Sequence, residues 1–194
     1  MSSNKVLFYR KFQYCFFTRN GGVSKKEYES LNCAFNAGDN SKNVQKNRKH
    51  AKNKISKKKK LILMNQIHSK KIIFVNKKNN RVLDADGIIS NREDLILGVL
   101  TADCAPIIFL GNNYFGIIHA GWKGTFLGII EEAINIFIKK GESKRDISVF
   151  IGPHLQKKSF EVKVDSIKNF EKSKFDSDKY IFIINNLYFF DFSL

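Results

Sequence analysis

Between Leu61 and His119 the chain runs through five short apolar segments: Leu61 to Met64, Lys71 to Val75, Leu95 to Leu100, Pro106 to Leu110 and Tyr114 to His119. Polar turn residues close each of them. Runs of this length suit strands and are too short for helices, so the middle of the chain has to be mostly sheet. One segment breaks the rhythm. From 125 to 140, Phe126, Ile129, Ile130, Ala133, Ile134, Phe137 and Ile138 recur at i, i+3, i+4 spacing, which predicts one helix with an apolar face. Lys139 and Lys140 suit its negative end, and Gly141 suits the residue beyond it. A strand at Ile147 to Ile151 follows. The pattern predicts an α+β fold of mixed α/β layers, a mixed β-sheet core flanked by helices, in a single domain over residues 1–194.

The first sixty residues read differently. Cys15 to Thr18 is a short apolar strand running into the turn Arg19-Asn-Gly-Gly22, and Ser24 to Glu27 has the form of a capping box opening a short helix. Val44, Ala51 and Ile55 at helical spacing predict a basic amphipathic helix over 42–56, and Lys57 to Lys60 reads as a solvated loop.

Charge enters here, because a net +16 invites a nucleic-acid reading through the 42–60 segment. Only six of the 34 basic residues are Arg, and little aromatic readout accompanies them. Heavy use of Lys, Asn, Ile and Phe is what an AT-rich coding sequence produces, so the basic-module reading ranks low. The odd count of three cysteines offers no disulfide framework. The first residues lack the apolar run of a signal peptide, and no stretch reaches the roughly 18 apolar residues of a membrane span. A cytoplasmic protein is expected.

His68, Cys104 and His119 each sit where an apolar run meets a turn. Two imidazoles and a thiolate are the donor set of a zinc site with a fourth position open. Each also has an ordinary reading, as a hydrogen-bonded histidine or a small buried cysteine. The turn Gly111-Asn-Asn113 gives two of them a reason to meet: it folds the flanking runs into a hairpin. If Leu110 faces Tyr114, Ala105 faces His119 and Cys104 lies diagonally beside it. Asp103 is either a general base or orienter, or a plain turn aspartate. Gly121-Trp-Lys-Gly-Thr125 is either an anion site at the start of the long helix or a plain turn, with Lys123 as its cation. Arg19 at its glycine-rich turn is another anion contact, and Trp122 is a stacking platform or a core residue.

Several motifs occur together and in order: Phe17-Thr-Arg-Asn-Gly-Gly-Val-Ser24, Ser30-Leu-Asn32, Asn47-Arg48, Asn65-Gln-Ile-His68, Asp84-Ala-Asp-Gly87, Leu100-Thr-Ala-Asp-Cys104, His119-Ala-Gly-Trp-Lys-Gly124, and Ile151-Gly-Pro153 with Phe160-Glu-Val162. In these the chain resembles the laccase-domain family, long labelled multicopper polyphenol oxidoreductases, over about residues 7–192. The resemblance implies a zinc-dependent purine nucleoside phosphorylase with adenosine deaminase activity, taking purine nucleosides and phosphate. Adenosine and inosine are the expected substrates, with methylthioadenosine a further one. It implies metal binding by His68, Cys104 and His119, catalytic roles for Asp103 and Cys104, and phosphate or substrate contacts from Arg19, Asn32, Arg48 and Lys123. Two departures stand out. Where the family often has Cys after Ile-Gly-Pro, this chain has His154, a further ligand candidate. Relatives also continue beyond the segment matching Phe190-Asp-Phe192, so a C-terminally shortened domain is expected.

The laccase label itself fails on a count. A multicopper oxidase needs about ten His ligands plus a Cys, and the chain has four histidines. The other enzyme reading is a cysteine hydrolase with Cys104 as nucleophile and His119 as its base.

Overall fold

A computed structural model describes residues 4–76, 83–162, 181–184 and 187–190. Its centre is a five-stranded mixed sheet built from β4 (Ile72–Val75), β5 (Gly87–Ser90), β7 (Ala105–Leu110), β8 (Phe115–Ala120) and β9 (Ser148–Ile151), in the order β4-β5-β8-β7-β9. Only the β4–β5 pair is parallel; β5–β8, β8–β7 and β7–β9 are antiparallel. Smaller pairings surround it: β1 (Leu7–Tyr9) with β2 (Phe12–Tyr14), and β3 (Lys60–Ile62) parallel to β6 (Leu95–Leu97). Further along, β10 (Glu161–Val162), β11 (Ile181–Ile184) and β12 (Leu187–Phe190) make a three-stranded sheet. The mixed layered fold expected from the apolar runs is present.

The long helix is not continuous. It is split into α2 (Trp122–Phe126) and α3 (Ile129–Lys139) by Gly128, whose φ of 85° is left-handed. That conformation costs glycine little and ends a right-handed helix. The apolar period survives the break because α3 still buries Ile129, Ala133 and Phe137 at fourfold spacing against Ile107, Phe109 and Ile118 of the sheet. Phe109 and Phe137 face each other at 6.1 Å between ring centres. The opposite face packs Ile88 with Met64, Val75, Ala85 and Leu95.

Two further expectations change, and a third is met. Cys15 to Thr18 is not a strand; the pairing lies just before it, in β2. Ser24 does not cap a helix. Its hydroxyl donates to Asp39 at 2.6 Å, and only a single 3₁₀ turn forms at Lys26–Tyr28. The basic helix α1 (Ser41–Ile55) forms, capped by Asn40, whose side chain accepts from the Lys42 N–H. It is held by a buried polar residue rather than an apolar stripe alone. Asn47 has no exposure, donates to Ser24 Oγ and to the carbonyls of Ser30 and Asn32, and accepts from Val23 N–H. It thereby ties the loop 19–33 onto α1.

A candidate metal centre at one end of the sheet

The site grows out of strand register. In the β7–β8 hairpin Pro106 faces His119 and Ala105 faces Ala120, one residue away from the expected pairing of Ala105 with His119. The difference is consequential, because side chains alternate along a strand. The expected register would send Cys104 and His119 to opposite faces. The observed one puts Cys104, two residues before Pro106, on the same face as His119. On the other side of β8, Gly87 pairs with Ile118. The next step brings Asp86 opposite His119, and His119 N–H donates to the Asp86 carbonyl at 2.7 Å.

The third member comes from the loop after β3. Gln66 reaches across to Leu100, donating to its carbonyl at 2.8 Å and accepting from its N–H at 2.7 Å. Asn65 bonds the Asp84 carboxylate at 2.7 Å. His68, with a left-handed φ of 55°, then turns towards the sheet end. Its ring meets that of His119 edge-on, with centroids 4.7 Å apart. The ligand atoms of His68, Cys104 and His119 all lie within 4.8 Å of one another, so these residues can hold one metal ion. Gly121 backs the group: a Cβ there would lie 2.9 Å from His68 Cδ2 and 3.1 Å from Cys104 Sγ.

Behind the trio sits Asp86, wholly buried. Its carboxylate accepts from the N–H groups of Ile67 (3.3 Å), His68 (3.0 Å) and Ser69 (2.6 Å) and from Ser69 Oγ (2.8 Å), and meets His119 Nδ1 at 2.9 Å. Burial pushes its acidity down, but the bonds from His119, Ser69 and His68 outweigh burial and leave its pKa below the ordinary value. Burial lowers the His119 pKa, partly opposed by Asp86, which favours the neutral imidazole. Burial raises the Cys104 thiol, with Asp103 and Asp86 adding to the rise. A nucleophilic cysteine needs the opposite shift.

The other candidates are distributed. Asp103 is exposed and close enough to Cys104 to act on its thiol, and its carbonyl accepts from Leu155 N–H. Lys123 is exposed on α2 beside the trio's glycine. The long helix expected to begin there is instead the five-residue α2, separated from α3 at Gly128. Arg19, Asn32 and Arg48 belong to the collar around Asn47. Arg19 Nε donates to Glu29 carbonyl and Arg48 Nε to Cys33 carbonyl, at 2.8 and 2.7 Å, while Asn32 bonds Asp39. His154 is not in the ligand group; its Nδ1 meets the Gly152 carbonyl at 2.9 Å. A cavity of about 240 Å³ lies on the sheet face away from α3, lined by Phe12, Leu97, Ile108 and Phe115, and contains none of the trio. Two residues carried no role in the sequence reading, Asp86 and Asn47. An aspartate directly before the apolar Gly87-Ile-Ile was the available signal for the first.

Residues 13–192 match the family described as multi-copper polyphenol oxidoreductase laccase. The chain belongs to this family. Similar proteins include a purine nucleoside phosphorylase YfiH of Shigella flexneri, 33% identical over 76% of this chain and 60% of its own length. A purine nucleoside phosphorylase of Haemophilus influenzae is 34% identical over 81% of this chain and 65% of its own. The chain thus spans less than two thirds of either relative. The crystal structure of a Bacillus licheniformis hypothetical protein YfiH matches 91% of this chain and 72% of that one, with a TM-score of 0.80 and 29% identity.

Proposed function

We propose that the chain is a zinc-dependent purine nucleoside phosphorylase that splits adenosine, inosine and methylthioadenosine with phosphate into free base and the corresponding ribose 1-phosphate, and that the same site deaminates adenosine. The observation that carries this is the gathering of His68, Cys104 and His119 within 4.8 Å in front of a buried carboxylate. The names of the two relatives point the same way.

The donor set fits zinc, since imidazole and thiolate are its usual ligands and three of them leave a position open. His119 already offers a neutral ring, whereas Cys104 releases its proton on binding. Zinc held there supplies a Lewis acid for a substrate oxygen or ring nitrogen. In phosphorolysis a phosphate oxygen bonds to the anomeric carbon as the C–N bond breaks, and the purine leaves with the electron pair and takes up a proton. Asp103, exposed beside Cys104, is the group assigned to proton transfer at the purine. Phosphate is assigned to Lys123, Asn32 and the two guanidinium groups. Arg19 and Arg48 each tether Nε to a backbone carbonyl, which orients the outer nitrogens for an anion.

A single domain in the cytoplasm completes the reading. Three free cysteines are in keeping with a reducing compartment, and no helix among the described residues is long and apolar enough to cross a membrane. The test is to incubate purified protein with inosine or adenosine and phosphate and to follow free base by chromatography. Release at no more than the level of a Cys104→Ala control would refute the proposal.

A further inference from the structure

We propose that Asp86 is a positioning residue that sets both imidazoles of the site at once, holding His119 as its Nδ1–H tautomer and so leaving Nε2 to face the ion. This deepens the metal reading above and rests on it. Asp86 is surrounded by groups that donate. The N–H groups of Ile67, His68 and Ser69 and the Ser69 hydroxyl all point at its two oxygens, from 2.6 to 3.3 Å. A carboxyl ringed by four donors serves as an acceptor, so its fifth partner, His119 Nδ1 at 2.9 Å, has to donate. A neutral imidazole that donates through Nδ1 keeps its lone pair on Nε2.

The geometry also couples the two histidines. The same oxygen, Oδ1, takes the His119 ring and the His68 backbone N–H. The other oxygen takes both Ser69 donors and fixes the loop that holds His68 at its left-handed φ of 55°. Asparagine fills the same space but replaces one oxygen with an NH₂ group. With that NH₂ facing His119, the ring has to accept at Nδ1, and its proton moves to Nε2, where it blocks the lone pair. With the NH₂ on the Ser69 side it meets two backbone donors, Ile67 and Ser69 N–H, against the single His68 N–H of the first orientation, so the first is favoured.

The experiment compares the wild-type protein with Asp86→Asn. Long-range ¹H–¹⁵N spectra of the metal-free proteins report the His119 tautomer, and chelator competition reports zinc affinity. Wild type is expected to show Nδ1–H. The variant is expected to show Nε2–H and zinc binding weaker by about 10- to 100-fold. A purely structural role would lower stability yet leave the tautomer and the affinity of the folded protein in place. A wild-type Nε2–H tautomer, or a folded variant binding zinc within about twofold of wild type, overturns the assignment. Where the variant does not fold, the wild-type tautomer decides. A wild-type protein that shows Nδ1–H but takes up no zinc upholds the positioning and refutes the metal reading, so the two fail separately.

Discussion

Replacing Asn47 by alanine tests whether one buried amide organises the loop that carries Arg19 and Asn32. The side chain has no exposure, its two amide hydrogens serve three acceptors at 2.8 to 3.1 Å, and its oxygen accepts one bond of 2.8 Å. Each such bond contributes about 1 kcal/mol net, and a buried group left without a partner costs about 1–3 kcal/mol. Val23 N–H and the Ser30 and Asn32 carbonyls lose this partner together. Water can reach some of them once the loop lifts, so the expected loss is about 3–4 kcal/mol rather than the full sum. That is a large share of the roughly 5–15 kcal/mol of a typical domain. Urea unfolding followed by circular dichroism measures it, as a lower midpoint at unchanged slope. Amide exchange at Val23 should accelerate in parallel. A loss under about 1 kcal/mol, with Val23 still protected, would show that the loop is ordered by something else.

Gly121→Ala should weaken zinc binding by about 10- to 100-fold while leaving metal-free stability nearly unchanged. The backbone at φ −76° accepts any side chain, but a Cβ would press on His68 and Cys104; chelator competition and thermal melts read the two effects. Zinc at about 100-fold above its Kd should stabilise the wild type by about 2.7 kcal/mol, or roughly 5–10 °C in Tm, reversed by chelator and absent in His119→Ala. Glu142 accepts from the N–H groups of Asn112, Asn113 and Tyr114 at 2.6 to 3.2 Å. Burial raises its pKa, but these bonds and Arg10 outweigh burial and leave it lowered. A lowered folded pKa means stability that is present above the unfolded value of about 4.3 and lost as pH falls through the folded one. Glu142→Gln should therefore be less stable than wild type at pH 7, with the gap closing in acid, as urea midpoints across pH would show.

What the sequence disclosed follows from which signals are local. β7 and β8 could be read because short apolar runs flank Gly111-Asn-Asn113, and that hairpin brought Cys104 and His119 to one end. Their register could not be read, since one residue of slip leaves the apolar pattern almost unchanged while reversing which face carries Cys104. β5 went unseen although it is buried at all four positions. Two isoleucines between Gly87 and Ser90 make no pattern until β4 and β8 close on either side. The break at Gly128 was hidden because Phe126 and Ile129 keep the period across it; a left-handed residue leaves no trace in spacing. His68 joined the pair only through family resemblance. Its approach depends on Gln66 reaching Leu100 and on Asp86 gathering the 67–69 loop, contacts that span between 17 and 34 residues of chain.

The left-handed backbone at His68 sets binding against stability. A residue with a Cβ costs about 1–2 kcal/mol in that conformation, and in the metal-free fold the imidazole sets only its edge-on contact with His119 against this cost among the described contacts. Asparagine tolerates the same φ more readily and cannot replace the ring as a ligand. His68→Asn should therefore give a metal-free protein at least as stable as the wild type, and one that zinc no longer stabilises. The most stable form of this chain is then not the form best able to hold an ion.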